Sequence, residues 1–256
     1  NLENGDYNFS KINVKRNATI KGKSSNTQIN GSGILFNITS PNVSILNLTI
    51  TNYNTAITSI SSDLTINGNN INTKGISINI NSNSNDLKGI IIANNIIISA
   101  NDLYGAVYVN VSDNNYAILD VYFFNNIIEG NGTNRSHGVY IIAKGRSSNL
   151  TFIKNNITGS SSYRTEGEGS VRIDLINNIN DNITFTKNNI TALSVSNGLW
   201  NGVALSTSNS SNSQAIFTNN NIMATFGDGV YIVSRSNHSR IIFADNNLTG
   251  TGNSNS

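Results

Sequence analysis

Lys154-Asn155-Asn156-Ile157-Thr158 recurs as Lys187-Asn188-Asn189-Ile190-Thr191. Each copy contains Asn-Ile-Thr, which is a glycosylation sequon. Each also sits in a β-rich stretch, so KNNIT is either an address for sugar or a part of the fold that spells one. The rest of the chain decides between the two. An Asn immediately before Ile or Leu stands at Asn47, Asn70, Asn95, Asn126, Asn156, Asn189, Asn221 and Asn247, at intervals of 23, 25, 31, 30, 33, 32 and 26 residues. From Asn70 onward it is the second of a pair. The pairs are Asn69-Asn70, Asn94-Asn95, Asn125-Asn126, Asn155-Asn156, Asn188-Asn189, Asn220-Asn221 and Asn246-Asn247. Several of these coils lack a sequon, Asn94-Asn95 followed by two Ile among them. The repeat therefore comes first, and the sequon arises where Thr, a good strand residue, lands two places on.

A short apolar run precedes each pair, such as LTFI at Leu150–Ile153 and ITFT at Ile183–Thr186. A polar loop follows, then a Gly and an alternating strand. These strands are GISINI from Gly75, GAVYVNV from Gly105, GVYIIA from Gly138, GSVRIDLI from Gly169, GVALST from Gly202 and GVYIVS from Gly229. A period of 20–50 residues marks a stacked repeat. Each unit holds three short strands and nothing with helical periodicity, which predicts an all-β parallel β-helix (solenoid) with three short strands per coil. Eight marked coils and a starting one make about nine, a rod on the order of 40 Å long. The expected layout is a single domain over 1–256, with N-terminal coils in 1–46 and Asn-Asn-marked coils in 47–256. Its repeat-like ends read as those of a piece of a longer protein. The Asn corners have a physical reason: Asn tolerates φ > 0, and stacked amides can bond the rungs above and below. One Asn of each pair is expected to point inward and the other outward.

Composition narrows function. Charged residues make up 12% of the 256, with a net charge of +2. No field or basic stripe draws the chain to nucleic acid. Cys is absent, which removes disulfides and thiolate metal sites. His137 and His238 fall in different loop types and no calcium-loop spacing occurs, so neither a metal nor a cofactor is expected. No run reaches transmembrane length, so this segment is not expected to insert in a membrane.

The opening NGDYNFSKINVKRNATIKGKSSNTQINGSGILFNITSPNVSILNLTITN resembles the first coils of pectin-lyase-like right-handed parallel β-helices. The later x-NN-I…G-V/I-x-I units resemble the repeat region of surface adhesin-like proteins of methanogenic archaea. The resemblance covers essentially the whole chain. It implies an extracellular, cell-surface, monomeric protein that adheres to carbohydrate or to another cell's surface without catalysis. It also implies that any site lies on the face of the Gly-led strands and their loops. The fold alone does not choose, because it also hosts polysaccharide lyases and glycoside hydrolases, and it can serve as a rigid spacer or stalk.

On that face the alternation predicts two outward columns. One reads Ser77, Tyr108, Tyr140, Arg172, Ala204, Tyr231; the other reads Asn79, Asn110, Ile142, Asp174, Ser206, Val233. Aromatic rings in a row suit stacking on sugar faces, although strand aromatics also stack simply on one another. The predicted ligand-binding residues are Tyr108, Tyr140, Arg172, Asp174 and Tyr231, with Tyr163, Arg164 and Trp200 from the two longest units. A catalytic version of the fold would need paired carboxylates, and Asp174 with Glu166 or Glu168, beside Arg172, is the candidate cluster. Glycans are expected on loop sequons, at Asn131, Asn134, Asn209 and Asn237, rather than on KNNIT.

Overall fold

The protein is described by a computed structural model over residues 1–82, 86–112, 117–162, 167–194 and 199–251. Tyr163, Arg164 and Glu166 lie outside these residues. No described residue is helical. The strands form three sheets, of eleven, nine and nine strands, in which neighbours along each sheet come from successive coils. The chain is a parallel β-solenoid with three strands per coil. One short segment departs from the pattern, Arg135–Ser136, which pairs antiparallel with Asn156–Ser161.

The three sheets correspond to the three pieces of the repeat. The first contains the apolar runs before the Asn pairs and carries a column of stacked rings inside the coil. Phe123, Phe152, Phe185 and Phe217 lie fully buried. Their centroids are 4.5 to 4.9 Å apart and nearly coplanar, and Phe243 extends the stack at 4.8 Å. Parallel pairing in register forces this, because equivalent residues stand one rung apart, about 4.8 Å. The second sheet begins at the Asn pairs and buries one Ile per coil, for example Ile71, Ile157, Ile190 and Ile222. The third is the Gly-led sheet. Its glycines are required by close approach. A Cβ on Gly138 would lie 2.4 Å from Ile157 Cγ2, and one on Gly202 would lie 2.3 Å from Ile222 Cγ2.

The Asn corners are sharper than the sequence pattern suggested. In six of the seven pairs one Asn is buried and its neighbour is exposed, as expected, but the buried one is not always the same member; in the last pair Asn246 is half-buried and Asn247 exposed. It is Asn69, Asn155, Asn188 and Asn220, the first of the pair, and Asn95 and Asn126, the second. In the latter two coils Ile96 and Ile127 take the exposed place that Asn holds elsewhere. The marker "Asn before Ile" therefore slips by one residue between coils. The expectation that an Asn of the pair supplies φ > 0 is corrected for most coils as well. The left-handed residue is the one before the buried position: Asn47, Gly68, Asn94, Asn125, Lys154, Lys187, Asn219 and Asp245. In both copies of KNNIT that residue is the Lys.

Each buried Asn bonds in two directions. From Asn95 onward its Oδ1 accepts from both the backbone N–H and the Nδ2 of the equivalent residue one coil earlier, while Asn69 Oδ1 accepts the N–H of Leu48, which has no side-chain amide. Asn155 accepts from Asn126 at 3.0 and 2.9 Å. Its Nδ2 donates to Asn188 Oδ1 at 3.0 Å and to the Phe123 carbonyl at 3.1 Å. The same unit recurs from Asn69 to Asn246. It satisfies corner groups that burial would otherwise leave unpaired.

Candidate functional site on the Gly-led sheet

The site is built by five strands of this sheet: Val107–Val111, Val139–Lys144, Gly169–Ile176, Asn201–Ser211 and Val230–Asn237. Their inward residues Val107, Val109, Val139, Ile141, Val171, Ile173 and Val203 have no exposed surface. The first outward column runs Tyr108, Tyr140, Arg172, Ala204, Tyr231 in register. The second runs Asn110, Ile142, Asp174, Ser206, Val233. Both columns match the expected order from Tyr108 and Asn110 onward. One coil earlier they are corrected: Asn79 pairs with Tyr108 and Asn81 with Asn110, while Ser77 is buried. Val107 faces Ile78, not Ile76, because the strand that starts at Gly75 enters the sheet two residues late.

The column is a packed stack. Tyr108 is 9% exposed, because Tyr104 covers it with ring centroids 4.6 Å apart. Tyr140 lies 5.5 Å from Tyr108, and the Arg172 guanidinium lies 4.7 Å above the Tyr140 ring, a cation–π contact. Beneath Tyr140 sits buried His137, 4.9 Å away, and beyond it Trp200, again at 4.9 Å. Trp200 is fully buried. The expectation of a ring offered to ligand is therefore corrected: the indole packs inward against Ala192, Ala224 and His137. Tyr108 is likewise no open platform. The exposed aromatic is Tyr104, at 40%.

Arg172 ties the charges together. Its Nη1 pairs with Glu168 Oε1, and its Nε lies 2.9 Å from Asp174 Oδ2, which also accepts the Tyr140 hydroxyl at 3.1 Å. Glu168 Oε2 is 3.1 Å from His137 Nε2, and His137 Nδ1 is 2.6 Å from the Gly169 carbonyl. Burial alone would raise the Glu168 pKa, but His137 and Arg172 outweigh it and bring it down to about 2. Burial opposes the charge on Arg172, yet Asp174 and Glu168 hold its pKa above the ordinary value. Tyr140 is pushed up by burial and then by Asp174.

Beside this stack the sheet dips. Between Arg172 and Asp174 on one neighbour and Tyr231, Val233 and Arg235 on the other, the strand Asn201–Ser211 places the small residues Ala204, Ser206 and Ser208. The result is an open trench of about 420 Å³, which Gly167 and Ala204 also line. It brings together Arg172, Asp174 and Tyr231 of the expected residues, and it leaves Tyr108 and Trp200 outside. Sequence reading missed Ser208 and Arg235, because it ended both strands too early. The strand after Gly202 in fact runs on to Ser211, and the strand after Gly229 to Asn237. The missed signal was in the first column itself, where Ala204 interrupts a run of long side chains.

Of the sequon candidates, Asn131, Asn209 and Asn237 are exposed and Asn134 is half-buried. Asn131 Nδ2 donates to Glu129 at 3.2 Å. In KNNIT, Asn189 Nδ2 donates to Asn156 Oδ1 at 3.0 Å, so the two side chains already occupy each other. No protein-family model matches the chain, and comparison with curated proteins and with solved structures returns no match.

Proposed function

We propose that this chain is the solenoid region of a cell-surface, adhesin-like protein, of the kind its repeats resemble in methanogenic archaea. In this reading it works outside the cell and binds carbohydrate, or the glycan coat of another cell, along its Gly-led face. The observation that carries the reading is the pairing of an aromatic and Arg ridge with a polar trench on one rigid sheet. Sugar recognition needs an apolar surface beside convergent donors and acceptors, and such a site costs little ordering when a scaffold holds it. A hydrolase of this fold would need paired carboxyl groups, one of them exchanging a proton near neutral pH. Arg172 instead holds both Glu168 and Asp174, and Glu168 titrates at about 2. That favours binding over hydrolysis.

A glycan array and a whole-cell binding assay test the proposal, comparing the chain with a Tyr104→Ala/Tyr140→Ala variant. Binding by the parent and its loss in the variant, with thermal unfolding still cooperative, is the expected result. A parent chain that binds neither glycans nor cells would remove the proposal.

A further inference from the structure

We infer that the trench over Ser206 and Ser208 is a subsite for a neutral sugar bearing adjacent free hydroxyls, which lies across the sheet along the strand direction. The inference rests on the carbohydrate-binding reading above and specifies where and what that reading binds.

The dimensions come first. The two walls stand on strands two rungs apart, about 9.6 Å from backbone to backbone. From Ala204 to Ser208 the floor runs four residues, about 13 Å along an extended strand. That is the footprint of a mono- or disaccharide. The trench is open because its floor is small: the same two columns carry Ile142 and Ile176 on other strands and Ser206 and Ser208 here.

The chemistry of the walls then selects the ligand. Asp174 Oδ2 is occupied by Tyr140 and Arg172, whereas its Oδ1 has no partner among the described residues. Arg172 uses Nε and Nη1, and its Nη2 has none. Among the described residues, an acceptor and a donor without a protein partner thus stand on two outward residues of one strand, joined through Asp174 Oδ2 and Arg172 Nε. A pair of neighbouring hydroxyls matches them, since each hydroxyl can both donate and accept. The Tyr231 ring on the facing wall offers an apolar surface for the C–H side of a pyranose.

Charge argues for a neutral ligand. Among the described residues, Arg172 and Arg235 on the walls are balanced by Asp174 and by the Glu168 paired with Arg172, so their charges sum to zero and give no net pull on an anion. An extended peptide is disfavoured for a separate reason. The floor strand is paired on both sides, so no backbone edge is open for strand addition.

The test uses titration calorimetry with methyl glycosides of glucose, galactose and mannose and their disaccharides. Galacturonic acid and N-acetylneuraminic acid serve as acidic probes, and a random peptide library as the third arm. Two variants fill the trench, Ser206→Ile and Ser208→Ile, each introducing the residue already present in its own column. A neutral probe that binds the parent and binds either folded variant about tenfold or more weakly supports the subsite. Binding of acidic probes or peptides alone overturns it. So does neutral binding that survives both fillings but is lost in Tyr104→Ala/Tyr140→Ala, an outcome that keeps the carbohydrate reading and moves its site to the ridge. If no glycan and no cell binds, both readings fall together.

Discussion

At the scale of single residues, two buried acids differ only in their company. Asp181 is 2% exposed. Its Oδ1 accepts the Ser148 N–H and Asn178 Nδ2, and its Oδ2 accepts the Ser213 hydroxyl. No cation is among these partners, so desolvation dominates and its pKa is raised. Glu168 is buried too, but His137 and Arg172 lower its pKa to about 2. The consequences for stability have opposite signs. Glu168 contributes stability that is present above the unfolded carboxyl value and lost as pH falls toward 2. Asp181 contributes stability that is present below the unfolded value and lost as pH rises through its elevated folded value. Asp181→Asn keeps the Oδ1 acceptor and turns Oδ2 into a donor that the Ser213 hydroxyl can accept. The variant is expected to be as stable as the parent or more so at pH 7, with the gain disappearing at acidic pH. Thermal unfolding across that range checks it, and a large loss at pH 7 would contradict the account. Lys154 and Lys187 make a related point. Each holds a left-handed backbone position that Asn, Gly or Asp fills in other coils, so the corner geometry, not the side chain, is what the repeat preserves.

At the scale of the element, the Asn pair is two ladders. The buried ladder donates toward the next coil, as Asn155 Nδ2 does to Asn188. The exposed ladder donates toward the previous one, as Asn189 Nδ2 does to Asn156. The amides therefore run in opposite directions along the rod and their dipoles offset. The two halves of the pair differ in what their loss leaves behind. Asn155→Ala strands the Asn126 N–H and Nδ2 and the Phe123 carbonyl in a buried corner. This is expected to cost about 3 kcal/mol. Asn156→Ala removes a bond in water and is expected to cost less than about 1 kcal/mol. Urea unfolding of the two variants measures the difference, and equal losses would refute the inward–outward division. The pair pattern was legible in the sequence, including that one member faces in. Which member does so was not, because FNNII and KNNIT both satisfy the pattern, and pairing with adjacent coils sets the register.

At the scale of the whole molecule, the rod has no single core but a core repeated coil by coil, so its stability is a sum over neighbouring coils. Burial is uneven along it. The central strands bury their inward residues fully, whereas Ile241, Phe243 and Leu248 of the last described coil are 41 to 45% exposed. Amide exchange is expected to be slowest in strands such as Val107–Val111 and Leu150–Ile153, and to quicken through Val230–Gly250. Mass-resolved hydrogen exchange would read this gradient directly. Uniform protection to Gly250 would mean that the last coil is covered in solution.

The sequence by itself determined the architecture. A period near thirty residues, three alternating runs per unit, a Gly at one corner and Asn at another leave a parallel solenoid as the arrangement that buries every apolar column. It also determined the order of the outward columns from Tyr108 and Asn110 onward, because strands paired in register convert sequence alignment into spatial adjacency. KNNIT is thereby read as a corner of the fold. The tertiary structure alone decided exposure and partnership. Trp200 was buried against His137, Ala192 and Ala224, Tyr104 came to cover Tyr108, and Arg172 took both acids. These outcomes depend on how loops of unequal length fold back over the sheet, and the repeat does not encode that. The trench belongs to the same class, since it exists only where a strand of small outward residues lies between two strands of large ones.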